Sequence, residues 1–199
     1  MRQLSRFLCV LVSLCGATVL AGWMFEIDQL TRVSPGLVTM KVSTACCFLL
    51  GGIMGYLMHH RNSIHWRLMV VSCLAWSMIG LMAITLYSSV TGKVIGIAIA
   101  GDDGMLSVAP GTPSIGTMIA FIMYGFFGLM YTLGVQYSYI LPHAVGIIGT
   151  TALAGYAFGV PEWYFYFPDE STAMAVHTAA CFLLLGIASV IKPVPNVEH

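Results

Sequence analysis

Charge is scarce in this chain: of 199 residues, 8% are Asp, Glu, Lys or Arg, whereas 58% are hydrophobic and the mean hydropathy is +0.88. So few charges cannot clothe a water-soluble globule, which excludes an ordinary soluble domain. Eight basic residues balance eight acidic ones, so no basic field exists of the kind that gathers nucleic acid. The six cysteines, Cys9, Cys15, Cys46, Cys47, Cys73 and Cys181, lie inside apolar runs and form no CxxC pair. They are expected to be small buried hydrophobes, and neither a disulfide framework nor a metal cage. HExxH, a glycine-rich phosphate loop and a nucleophile next to its base are also missing. Catalysis is not expected, and no cofactor is predicted.

What the chain has is apolar length. Six segments, 7–25, 43–60, 67–88, 114–135, 141–159 and 172–191, approach the roughly 20 residues that cross a hydrocarbon core. The expected fold is an all-α membrane protein, one transmembrane domain over 1–199 with six helices. The first apolar run follows Arg2 and Arg6 and has the look of a secretory signal, but its end belongs to an internal repeat. With the N-terminus inside, Arg2, Arg6, Arg61, Arg67 and Lys192 fall on the cytoplasmic side, leaving Arg32, Lys41 and Lys93 outside. Both termini are therefore expected in the cytoplasm, in a multi-pass protein of the cell inner membrane surrounded by lipid.

The repeat runs through these segments. Met40 to Ile53 (MKVSTACCFLLGGI) reappears as Met174 to Ile187 (MAVHTAACFLLLGI), with Thr44/Thr178, Cys47/Cys181, Phe48/Phe182 and Gly52/Gly186 in register. Ala21 to Ile27 matches Ala154 to Val160. Between them, Thr117, Phe121 and Gly125 keep the Thr-x3-Phe-x3-Gly spacing. Residues four apart stack on one helix face, so each copy presents a hydroxyl, a ring and a small residue in a stripe. Three helix-loop-helix units, about 7–60, 67–135 and 141–191, are expected. The short links between units make neighbouring units antiparallel partners.

The stripe reads two ways. Small residues and threonine hydroxyls are the usual means of joining helices in lipid. Alternatively, three stripes converge on a pseudo-threefold axis and line a ligand cavity with Thr44, Thr117 and Thr178. His177 takes the place of Ser43 one turn inside the last helix. An ionisable group in a span is a functional candidate, or else a neutral imidazole bonded to backbone or interfacial water. His59, His60 and His65 with Arg61 and Arg67 form a basic link, read as facing lipid headgroups rather than holding haem or metal. Trp163 and Tyr166, with Trp23 and Tyr164, either belt the outer interface or roof a small-molecule site. Ligand contact is thus assigned to His177, Thr44, Thr117, Thr178, Trp163 and Tyr166. No acid, lysine or arginine falls at mid-membrane, which argues against a transporter or channel.

The run Pro35 to Leu50, preceded by Trp23-Met-Phe-Glu-Ile27, resembles the six-helix membrane input region at the N-terminus of many bacterial sensor histidine kinases and diguanylate cyclases. Gly155 to Pro161 with Met174 to Ala179 looks like the last unit of that region, and the likeness spans about residues 20 to 191. It implies a non-catalytic sensory or input module acting on a cytoplasmic partner. Family modules usually feed a PAS, kinase or GGDEF domain, which the residues from Lys192 to His199 are too few to form. The module is therefore expected to work through another polypeptide or to be part of a longer sensor. An accessory subunit of a larger membrane assembly, touching haem, quinone, pigment or lipid, is the other expectation.

Overall fold

A backbone in hydrocarbon must satisfy its own N–H and C=O groups, and a helix does so within one segment. The computed structural model of the chain describes residues 1–34, 36–60, 64–93, 111–135, 138–165 and 173–190, and every regular element among them is a helix. In order they are α1 (Arg2–Met24), α2 (Asp28–Thr31), α3 (Val42–Met58), α4 (Ile64–Thr91), α5 (Ile115–Thr132), α6 (Ile140–Phe158), α7 (Glu162–Phe165) and α8 (Val176–Val190). Helices α1, α4, α5 and α6 are long and apolar enough to cross a membrane, whereas α3 and α8 are apolar but shorter, at 17 and 15 residues. The chain is an all-helical membrane protein.

Several helix ends depart from the expected spans. Helix α5 stops at Thr132 because Gly134 takes φ +72° and the N–H groups of Leu133, Gly134 and Val135 turn back to the last carbonyls. Helix α8 starts at Val176, later than expected, because the Met174 N–H donates to the Tyr164 carbonyl at 2.8 Å and holds the approach to α8 extended. Met40 does the same on the Thr31 carbonyl at 2.9 Å, just ahead of α3.

The helices pack as three hairpins, α1 on α3, α4 on α5 and α6 on α8. Helices α3, α5 and α8 meet in the middle. Each outer helix also rests on an inner helix of a neighbouring hairpin: α4 on α3, α6 on α5, and α1 on α8. The ring is thereby closed between the first hairpin and the last. Lengthwise, the outer helices expose Phe7, Leu14, Trp76 and Ile147, the apolar surface a bilayer covers.

Glycine sets how closely the pairs approach. A Cβ on Gly16 would stand 2.6 Å from the Ala45 carbonyl oxygen, and one on Gly149 would stand 2.5 Å from that of Ala179. At the opposite end, Gly52 faces the Cys9 carbonyl, Gly125 that of Ala75 and Gly186 that of Pro142. Backbones in such contact gain dispersion, the main attraction left between helices when the solvent is itself apolar.

Two expectations are corrected by the packing. Cys73 is exposed on α4, and Cys15 and Cys46 are only half-buried, because a lipid-facing helix has no core to hide a small apolar side chain in. His59 is buried rather than headgroup-facing: its Nδ1 lies 2.8 Å from the Gly55 carbonyl oxygen, closing the end of α3. Arg67, also buried, bonds the His60 carbonyl from the start of α4.

Candidate functional site

The spacing Thr-x3-Phe places a hydroxyl one turn before a ring on each inner helix, and the bundle brings the three copies together. Phe48, Phe121 and Phe182 form a near-equilateral triangle, with ring centroids 4.7, 4.9 and 4.8 Å apart and inclined at 55° to 65°. All three rings are fully buried, in the edge-to-face arrangement that the aromatic quadrupole favours. The triangle is an apolar plug on the central axis.

Above it lies a ring of hydroxyls. Thr44, Thr117 and Thr178 line one cavity of about 10 Å³ together with Lys41 and Ser114. That volume accepts the centre of one water-sized particle. Each threonine is the third residue of its helix, so the N-termini of α3, α5 and α8 all face this cavity. Helix α5 is capped: the Ser114 Oγ accepts from the Thr117 N–H at 3.2 Å and lies 2.8 Å from the Thr117 Oγ1. Helix α3 has Lys41 at the capping position and no side-chain cap, and α8 is preceded by Ala175, which has no side-chain acceptor. The Thr44 and Thr178 hydroxyls, in residues 2% exposed, bond to no other described residue.

His177 sits elsewhere. It borders a cleft of about 250 Å³ between α1 and α8, walled by Cys15, Thr18, Gln29, Leu30 and Arg32. Both imidazole nitrogens are buried and have no hydrogen-bond partner among the described residues. Arg32 leans on the rim, its Nη2 donating to the Asp28 carboxylate at 2.7 Å, while its Nε is buried and unpartnered among the described residues. The cleft thus offers the polar groups of His177, Arg32, Gln29 and Thr18 among the apolar walls of Val19, Leu30 and Val33.

Trp163 belongs to neither place. It lies on α7, 42% exposed, edge-on to Phe158 at 6.4 Å, with its Cβ against Gly155. Tyr166 lies outside the described residues, as do Asp169 and Glu170. Trp23 anchors the entry to α3, its indole N–H donating to the Met40 carbonyl at 2.9 Å. The Tyr156 hydroxyl makes the matching bond to the Met174 carbonyl at 2.8 Å.

No family model, curated protein or solved structure matches this chain. Its function has to be read from its own geometry.

The sequence pattern does not single out Lys41, Ser114, Arg32 or Gln29 as members of the two sites. Ser114 had a legible signal, a capping residue just before an apolar helix with a hydrogen-bonding partner three residues on. Nothing local marks Lys41 or Arg32, because their places depend on which helices meet. Among the described residues no group of His, Cys, Asp or Glu is arranged to hold a metal.

Proposed function

We propose that the chain is a multi-pass, non-catalytic sensory or input module of a bacterial inner membrane. In this reading all six apolar helices span, as three repeated hairpins with both termini in the cytoplasm, and the cavity, the cleft and the long connections face outward. A signal molecule enters the cleft between α1 and α8 and engages His177. The observation that carries the reading is the His177 imidazole, whose two buried nitrogens have no partner among the described residues at the seam where the ring closes. A ligand that satisfies them in only one packing of α1 against α8 shifts the balance between two packings. Close helix contacts through glycine make such an alternative a matter of discrete steps rather than gradual strain. The cytoplasmic end of the bundle passes the shift to a protein partner.

Purification of the native protein in mild detergent, with mass spectrometry and an absorption spectrum, tests the reading. A colourless protein, alone or as a homodimer, is the expected result. A stoichiometric second subunit or a bound chromophore would sink it and establish the accessory subunit instead.

A further inference from the structure

The hydroxyl ring above the phenylalanine triangle has the wrong chemistry for a cation and the right size for one small ion. Among the described residues its lining includes Lys41 and no carboxylate. The three helix N-termini each present the positive end of a macrodipole, about half an elementary charge. In α3 the first ladder bond is from the Ala45 N–H to the Lys41 carbonyl, and in α8 from the Ala179 N–H to that of Ala175. The amides of residues 42 to 44 and 176 to 178 therefore precede the helical ladder, at helix ends without side-chain caps. A buried helix end in that condition calls for a partner from outside the ladder. Two further donors, the hydroxyls of Thr44 and Thr178, belong to residues 2% exposed that line the cavity, and they bond to no other described residue.

We infer that this cavity is a halide site, occupied by chloride at the junction of the three inner helices. The anion accepts from the hydroxyls of Thr44 and Thr178, lies within the field of Lys41, and completes the caps that Ser114 supplies for α5 alone. The phenylalanine triangle one turn deeper closes the path onward, so the ion is held and not conducted. The space is no more than one water-sized particle needs, which favours a single monatomic ion over sulfate or phosphate. The site stabilises the junction by binding the folded state and does not depend on the signalling reading.

Thermal unfolding of the full chain in detergent tests this, at constant ionic strength, with sodium chloride or bromide replaced stepwise by gluconate. The expected result is a melting temperature that rises saturably with either halide and not with gluconate or sulfate. Replacing Thr44 and Thr178 together by valine, which keeps shape and removes both hydroxyls, should weaken the apparent halide affinity about tenfold or more, as loss of a hydrogen bond to a charged group does. Anomalous scattering from bromide-soaked crystals of the native protein gives a second readout that needs no variant to fold, with one peak expected among Thr44, Thr117 and Thr178. Equal melting curves in chloride and gluconate, or a crystal showing only water at that position, would overturn the inference. So would an undiminished halide response in the double variant.

Discussion

Gly16 of α1 rests on Ala45, Phe48 and Leu49 of α3, and Gly149 of α6 rests on Ala179, Phe182 and Leu183 of α8. Gly22 abuts Leu30 and Thr31 while Gly155 abuts Trp163 and Tyr164, and in each hairpin an aromatic donor reaches the carbonyl of a methionine ahead of the inner helix. The first and last hairpins thus set the same backbone contacts at corresponding positions, with different side chains around them. At the far end they diverge. Gly52 meets Cys9 and Ser13, whereas Gly186 meets Gly146 and Pro142, so the last hairpin has glycine on both partners and the first on one. What the two share is close backbone approach. Where they differ in chemistry, Ser43 against His177, both hairpins bury polar side-chain atoms that have no partner among the described residues.

Three experiments would break or sharpen that comparison. The largest effect is expected at the plug both hairpins contribute to: Phe48→Ala and Phe182→Ala should each cost about 3–5 kcal/mol, with Phe121→Ala alongside them. Reversible unfolding in mixed micelles measures this, and a phenylalanine that proves dispensable would mean the three rings are not one unit. Next come Gly16→Ala and Gly149→Ala, where the added Cβ meets backbone at 2.6 and 2.5 Å and should cost about 1–3 kcal/mol each. Equal losses in the same assay support equivalence, while a loss at one alone shows that one hairpin can part and the other cannot. The smallest pair is Trp23→Phe and Tyr156→Phe, each removing one donor to a backbone carbonyl and each expected to cost about 1 kcal/mol. Amide exchange at Met40 and Met174 would report whether the loosening stays within its own hairpin.

Much of this was legible in the residues. Hydropathy alone located the apolar helices, and Thr-x3-Phe-x3-Gly picked out the three threonines and three rings that the bundle gathers. Their convergence was readable because one stripe, repeated, offers each inner helix the same face. The cleft beside His177 was not readable, since it lies between α1 and α8 and no pattern within either helix states that they touch. The burial of Lys41 was not readable for a related reason: it is 3% exposed because three helix starts crowd together there. Glycine pairs such as Gly16 and Ala45 are hidden for the same reason, though Gly149 sits in register with Gly16 in the repeat and offered a clue.

The contact of α1 with α8 joins the two described helices most distant in sequence. A chain delivered to the bilayer from its N-terminus has α1 in place long before α8 is made, and contacts between remote segments are the last to form. Until then the flank of α1 that carries Cys15, Thr18 and Val19 has only lipid, or another protein, to lie against. The wall beside His177 is therefore a late product of biosynthesis, complete only once α8 lies against α1.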